Sequence, residues 1–291
     1  MREFAAIVLA MLSSSLYGGA SALQALEARR VPTTDALRSS LIVRLVRRPL
    51  WLAGGAAGVL GWICSAAALA LASVALVQPA LGLGLIVLLF LATRILGERV
   101  GPVEIGGSVA IVVAVAALAW AGPTGSTSFT TGGTWAIAVG LVLIVGAPFA
   151  LRAAGRANGL ATSIAGGLGW AAVGLATALV VDALDQRRWL VCIAWAIGVG
   201  LASWSTLISE MSALQFWPAT RSIPVVFSLE MAVPAALTPL LASDSAPPHP
   251  VVFSFALVIA CAGAVLVGRS RGVANQMAGA EATAAEATGI S

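Results

Sequence analysis

The sequence of 291 residues contains no lysine, and only 10% of its residues are charged. Soluble domains usually carry about 25% charged residues, whereas this chain is 59% hydrophobic and has a mean hydropathy of +0.99. This scarcity of charge predicts a polytopic membrane protein rather than a soluble domain. The formal net charge of +4 comes from arginine, which accumulates on the cytoplasmic side of membranes. The charge therefore indicates topology, and we expect no nucleic acid partner.

Residues that commonly hold metals or carry out catalysis are equally scarce. Cys64, Cys192 and Cys261 lie far apart in apolar runs without metal-binding spacing, so they are interpreted as small packing residues. The single histidine, His249, lies in a proline-rich loop and excludes a histidine-based metal cluster. The sequence also lacks a nucleotide-binding loop, a zinc site or a Ser–His arrangement. We expect no cofactor and no enzymatic activity.

Long apolar runs, by contrast, are abundant. A membrane span needs roughly 17 to 25 mostly apolar residues. The N-terminal run resembles a signal peptide, but it passes twenty residues without a clear cleavage site and is interpreted as a retained first span. The nine predicted spans are approximately 4–25, 51–71, 74–95, 103–121, 134–151, 158–181, 189–208, 212–241 and 250–268.

Arginine is distributed unevenly between the loops. With nine spans, twelve of the sixteen arginines fall on one side and three on the other, while Arg221 lies within a span. The richer side is expected to be cytoplasmic, which puts the N-terminus outside and the C-terminus inside a plasma (inner) membrane. The segment 33–50 is basic and short, so we expect an amphipathic helix on the inner leaflet. A re-entrant tenth span is the alternative.

The chain is expected to contain an internal repeat at an offset of about half its length. Pro79 and Pro224 each follow a leucine by ten residues, and they are 145 residues apart. The same register puts "LGERVGP" opposite "LASDSAPP", so that Glu98 falls within a residue of Asp244. The third and eighth spans are separated by five crossings and would run in opposite senses. This pattern predicts an inverted repeat, an architecture associated with alternating-access transporters.

The predicted fold is therefore all-α, with about nine transmembrane helices in two inverted-repeat halves. The single transporter domain covers 1–271, with half 1 at about 1–121 and half 2 at about 134–268. The tail 272–291 is rich in Ala, Gly and Thr and has little apolar surface to bury, so it is expected to be disordered.

The stretches "ALALASVALVQPALG" and "LGERVGPVEIGG" resemble the drug/metabolite transporter superfamily. The short basic first link and the nine spans are most similar to its NIPA-type magnesium transporter branch. The resemblance implies alternating-access transport, with Mg²⁺ or another divalent cation as the solute. The second half departs from the pattern, since Asp244 stands where a Gly-Glu-Arg triplet is expected and Arg221 lies in the eighth span.

The two repeated prolines predict the walls of a cavity. A proline within a helix frees a carbonyl four residues earlier and bends the helix, and such groups are tolerated in membranes only beside protein or a water-filled cavity. Gln78, Pro79 and Pro224 are therefore candidate binding residues. The alternative is a structural bend that only packs helices.

Two charged residues of the eighth predicted span are the next candidates. A charge at the bilayer centre costs roughly 2.5–3.5 kcal/mol, so Arg221 and Glu230 need a partner or a wet cavity. Arg221 would bind an anionic group or a carboxylate of another span, and Glu230 would bind a cation or a proton. The alternative is a buried structural ion pair with a neighbouring helix. Glu210 is interpreted as lying at the cytoplasmic end of the same span.

Four further residues complete the candidate list. Glu98 and Arg99 end the third span, where they could gate the cavity or simply anchor the helix end at the interface. Tyr17 and Gln24 lie on a polar stripe of the first span and are possible cavity groups.

The sequence thus predicts a transporter of a small solute by alternating access. Mg²⁺ or a similar divalent cation is the solute that the resemblance implies, whereas Arg221 favours an anionic or zwitterionic metabolite. A third interpretation is a non-transporting membrane subunit or a component of a flippase for lipid-linked precursors. The expected partners are the lipid bilayer, the solute and either a second copy of the chain or a membrane complex.

Overall fold

The computed structural model describes residues 2–71, 77, 80–122, 128–243 and 246–269, and these form an all-α protein. A two-residue strand β1 (Ser128–Phe129) pairs antiparallel with β2 (Ala242–Ser243). The helices in these ranges are α1 (Arg2–Ala28), α2 (Ser39–Val46), α3 (Pro49–Leu71), α4 (Gly84–Ile95), α5 (Pro102–Ala121), α6 (Thr131–Ala153), α7 (Gly159–Asp185), α8 (Trp189–Phe216), α9 (Ala219–Leu241) and α10 (Pro250–Arg269).

Eight of these helices are long and apolar enough to cross a membrane, namely α1, α3 and α5 to α10. At 1.5 Å per residue, a helix of 20 residues spans about 30 Å, the thickness of the hydrocarbon core. Helices suit that environment because each satisfies its backbone hydrogen bonds internally. Among the described residues, the predicted span 74–95 is represented by a shorter apolar helical stretch, Ala80–Ile95, which includes α4. Gln78 and Pro79 lie outside the described residues, so the count of nine spans stays a prediction.

The boundary before the eighth predicted span was wrong. That span was expected to begin at 212, but α8 continues to Phe216 and α9 begins at Ala219. The break follows from Pro218, which disfavours helical geometry in the residue before it. Trp217 is extended, with φ −127° and ψ 152°. Glu210 consequently belongs to α8, six residues before the helix ends, and not to the helix that carries Glu230.

The basic segment after α1 forms the short amphipathic helix α2. Leu41, Ile42 and Leu45 are buried on one face, whereas Arg44 and Arg47 are exposed. Eight residues extend only about 12 Å, so α2 is too short to cross a membrane. The amphipathic character expected for this segment is therefore observed, whereas its position at the membrane, including the re-entrant alternative, stays a prediction.

The two ends of the helical assembly differ in composition. At one end, the loops after α1, α4 and α6 meet the junction of α8 and α9; we call this the arginine-rich end. There Arg29 pairs with Glu98, and Arg152 donates to the Ala36 carbonyl at 2.8 Å. At the opposite end, β1 pairs with β2, and the Trp120 ring stacks on His249 with centroids 4.4 Å apart.

Small residues let the helices approach closely, as is common in membranes. A side chain at Gly54 on α3 would lie 3.1 Å from the Ala20 carbonyl oxygen of α1. A side chain at Gly169 on α7 would lie 2.2 Å from the Thr206 hydroxyl of α8. Gly54 and Gly169 thus lie at close crossings of helices.

Helices α5 and α10 pack antiparallel along their lengths. Near the start of α5, a side chain on Gly107 would meet Val267 at the end of α10, 2.4 Å away. Just after the end of α5, Gly122 approaches Phe253 at the start of α10. Each helix is 20 residues long and begins at a proline. This pairing joins the first and second parts of the chain.

Candidate functional site

Two acidic side chains lie in the interior of the long helices. Glu210 on α8 and Glu230 on α9 are the charged residues that stand more than four positions from the ends of the eight helices described as long and apolar. Glu230 is at the midpoint of α9, which runs from Ala219 to Leu241. If α9 crosses the membrane, this carboxyl group lies near the bilayer centre, where a charge is most costly.

Glu230 lacks a direct polar partner in the described parts of the chain. None of the hydrogen bonds or ion pairs among these residues involves its carboxyl group. The side chain is nevertheless partly accessible rather than sealed in the core. A half-buried acid with open hydrogen-bonding capacity, at the middle of a span, is suited to bind a proton or a cation.

Tyr17 on α1 faces the same region. Its hydroxyl lies near the Ser65 side chain of α3 and within electrostatic range of Glu230 and Cys64. Gln24 follows seven residues later, on the same face of α1, with its Cγ against Gly54. Tyr17 and Glu230, two of the residues predicted from sequence, thus lie within electrostatic range of each other.

Glu210 has a partner that sequence reasoning missed. Its Oε2 accepts a hydrogen bond of 2.7 Å from the Trp170 indole N–H of α7. Glu210 also lies within electrostatic range of Glu230. We call Tyr17, Ser65, Glu210 and Glu230 the Glu230 cluster. It draws on α1, α3, α8 and α9, and its charged members are all acidic.

Accessibility changes sharply along α9. From Ala219 to Val226 every residue except Arg221 is buried, whereas from Leu229 to Leu241 only Ala232 is buried. A helix that packs on protein along one side and faces lipid on the other would keep a buried stripe along its whole length. Since successive residues point around the whole helix, this half of α9 is packed more loosely than the first half, and we call its accessible surface the crevice. Glu230 lies where the tightly packed half meets the crevice.

At the arginine-rich end, Glu98 closes the bundle. Its two carboxylate oxygens accept hydrogen bonds from the backbone N–H groups of Ala219 and Thr220, at 2.8 and 2.9 Å, and its side chain also pairs with Arg29. The first N–H groups of a helix lack internal acceptors and favour negative charge. We call Arg29, Glu98, Ala219 and Thr220 the Glu98 clasp. It joins the α4–α5 link and the end of α1 to the start of α9.

A sequence signal for the Glu98 clasp does exist. The N-cap of α9 is Pro218, which provides no side-chain acceptor, so the helix needs an acceptor from elsewhere. Glu98 was predicted as a gating residue, and its position at this junction is compatible with that role, which stays a prediction. Arg99, predicted with it, is exposed.

Further hydrogen bonds seal the same end. The Gln215 amide donates to the Val31 carbonyl at 2.9 Å, and the Leu37 N–H donates to the Ser212 hydroxyl at 2.8 Å. Both cross from the loop after α1 to α8. Together with the Glu98 clasp, they close the bundle on the arginine-rich side of the Glu230 cluster.

Arg221 has a structural partner. Its Nε donates to the Gly268 carbonyl at 2.7 Å, a second guanidinium nitrogen contacts the same oxygen, and the guanidinium lies 3.8 Å from the Trp217 ring centroid. The last carbonyls of a helix lack internal donors, so Arg221 caps the end of α10. The observed partner is a backbone carbonyl rather than the carboxylate expected from another span. A role of Arg221 in binding solute stays a prediction.

Of the two prolines predicted to line a cavity, the structure describes only Pro224. Pro224 is buried within α9 and is followed along the helix by Pro234 and Pro239. Next to it, the Ser222 and Ser163 hydroxyls are 3.0 Å apart, which ties α9 to α7. Gln78, Pro79 and Asp244 lie outside the described residues, so the proposed facing bends and the acidic counterpart of Glu98 are not tested.

The described residues hold no group of three or more His, Cys, Asp or Glu side chains that could bind a metal ion. Comparison with family models, curated proteins and solved structures finds none that matches the chain. The resemblance to the drug/metabolite transporter superfamily therefore stays a prediction from the residues quoted above.

Proposed function

We propose that this protein is a multi-pass transporter that moves a small cationic solute by alternating access. The observation that carries the proposal is Glu230, an acid without a direct polar partner among the described residues, at the midpoint of α9 and at the head of a crevice. A mid-membrane charge costs roughly 2.5–3.5 kcal/mol, and a role in binding explains why it is retained. In this proposal the protein lies in a plasma membrane, its arginine-rich end faces the cytoplasm and its N-terminus is outside.

The inverted repeat on which alternating access depends is supported by the packing. The motif "SSLYGG" at 14–19 of α1 matches "TSIAGG" at 162–167 of α7, at an offset of 148 residues, three more than the 145 residues between Pro79 and Pro224. The offset between the starts of α5 and α10 is also 148, and antiparallel packing of equivalent helices is expected about a two-fold axis in the membrane plane.

The sign of the charge in the site supports a cation. Glu210 and Glu230 are acidic, and Arg221, which suggested an anionic or zwitterionic solute, holds the Gly268 carbonyl at the arginine-rich end. Mg²⁺ has the appropriate sign but requires several oxygen ligands, and the described residues contribute few carboxylates to the cluster. An organic cation, which would also contact Tyr17 and Trp170 through their aromatic rings, has better support.

In the proposed transport cycle, the Glu98 clasp closes the arginine-rich end of the bundle. With this end sealed and the far half of α9 accessible, the conformation corresponds to a site open toward the outside. Access from the cytoplasm requires the Ala219 and Thr220 N–H groups to leave Glu98. The transition exchanges these hydrogen bonds for contacts that close the crevice around Glu230.

The experiment is a flux screen of the purified protein in liposomes, with organic cations, divalent cations including Mg²⁺, zwitterions and anions as separate arms. We expect flux of a cation, and we expect Glu230→Gln to reduce it at least about tenfold, equivalent to about 1.4 kcal/mol. Glu3→Gln makes the same change at an exposed position and should leave flux unchanged. Transport of anions alone, or full activity in Glu230→Gln, contradicts the proposal. Absence of flux together with a stoichiometric co-purifying partner would favour the membrane-subunit interpretation.

A further inference from the structure

A cavity of about 370 Å³ lies at the end of the molecule opposite the arginine-rich end. It is formed where α6 and α8 begin and α7 ends, away from the Glu230 cluster. This volume is within the range of small-molecule sites. The polar residues of its lining are Thr131, Thr134, Asp182, Gln186 and Arg188, and the aromatic ones include Trp135 and Trp195.

The lining presents both signs of charge in one place. The Asp182 carboxylate and the Arg188 guanidinium form a long ion pair, 3.4 Å apart, and both side chains are substantially exposed. Asp182 also accepts a hydrogen bond of 2.7 Å from Gln186. The N-terminus of α8, which begins directly after Arg188, adds positive potential on that side. A ligand with a separated anion and cation would complement this arrangement.

The surroundings of the cavity indicate that such a ligand would be a lipid. Trp135 is 70% exposed and Trp189 is 60% exposed, at helix ends where tryptophan commonly meets the membrane interface. Further along α6, Val139 and Val142 are also exposed, and they form an apolar surface that continues from the cavity toward the bilayer core. A headgroup in the cavity would therefore leave its acyl chains against apolar side chains.

We propose that this cavity binds the headgroup of a zwitterionic phospholipid. The phosphate faces Arg188 and the start of α8, while the ammonium group faces Asp182 and the Trp195 ring. The chains lie along the exposed face of α6. The site is distinct from the proposed solute site, because it shares no residue with the Glu230 cluster or the Glu98 clasp.

The test is native mass spectrometry of the intact protein, delipidated in detergent and then titrated with phospholipids of matched chains. We expect phosphatidylethanolamine to bind at least about fivefold more tightly than phosphatidylglycerol, which lacks the ammonium group. Soluble phosphoethanolamine distinguishes a lipid from a free headgroup, and it should bind much more weakly because it lacks chains. Equal binding of both lipids, or equal binding of the soluble headgroup, overturns the proposal.

Variants locate the site. Asp182→Asn should abolish the preference for phosphatidylethanolamine, whereas Arg188→Gln, which removes the partner of the phosphate, should weaken the binding of both lipids. Asp185→Asn and Arg187→Gln make the same chemical changes at neighbouring positions that do not line the cavity, and they should retain it. Retention of the preference in Asp182→Asn, together with unchanged lipid binding in Arg188→Gln, would show that the lipid binds elsewhere. The wild-type comparison of lipid classes remains informative if a variant fails to fold.

Discussion

At the scale of single residues, Glu98 illustrates how one side chain satisfies several distant groups. Its carboxylate accepts from two backbone N–H groups of α9, and it also pairs with Arg29. The sequence identified Glu98 as a helix-end residue with a possible gating role. It could not identify the contacted groups, because they lie 121 and 122 positions further along the chain.

We expect Glu98→Ala to destabilise the protein by about 2 kcal/mol or more, because two buried N–H groups lose their acceptor. The measurement is thermal unfolding in detergent. Arg99→Gln, at an exposed neighbouring position, should leave the melting temperature unchanged. Equal melting temperatures for wild type and Glu98→Ala would show that the hydrogen bonds at the start of α9 contribute no net stability.

A different result is expected at Arg221, because this residue caps the end of another helix, α10. Arg221→Gln removes both the stacking on Trp217 and the charge that caps α10, so it should lower stability by about 1–3 kcal/mol. Flux per folded molecule should remain within about twofold of wild type. Normal stability with lost flux would instead assign Arg221 to solute binding. Both quantities are measured on the same purified sample.

At the scale of elements, α9 combines a tightly packed half with an accessible half. The sequence predicted a helix with several prolines there. It did not predict the change in packing along that helix, because neighbouring helices determine burial. The missed break at Trp217 and Pro218 had a local cause that the sequence does contain, since the residue before proline avoids helical geometry.

Cysteine labelling tests the asymmetry of α9. Val226 and Val233 lie on the same side of α9 as Glu230, four residues before and three residues after it. In a background without the native cysteines, Val233→Cys should react with a membrane-impermeant maleimide added from outside. Val226→Cys, which makes the same substitution in the buried half, should not react. The reverse pattern would mean that the crevice opens toward the arginine-rich end.

At the scale of the whole molecule, the amino-acid composition was sufficient to predict an all-α membrane protein. Apolar runs of sufficient length gave the membrane class and most helix boundaries, since a helix is the simplest way to satisfy backbone groups in lipid. The interactions that assemble the site join distant positions: Trp170 donates a hydrogen bond to Glu210, and Tyr17 lies within electrostatic range of Glu230. No local pattern records such pairs, so the cluster could be predicted only as separate residues.

The short strand pair at the opposite end has a mechanical consequence for the proposed cycle. The Thr130 N–H donates to the Leu241 carbonyl at 3.0 Å, and Phe129 lies opposite Ala242. The start of α6 is thus tethered to the end of α9, and tilting of α9 would carry α6 with it. A disulfide between Phe129→Cys and Ala242→Cys should therefore leave flux in liposomes intact, with the reduced variant as its control. If the disulfide abolishes flux and reduction restores it, α6 and α9 must separate in each cycle. In that case α6 stays in place while α9 moves.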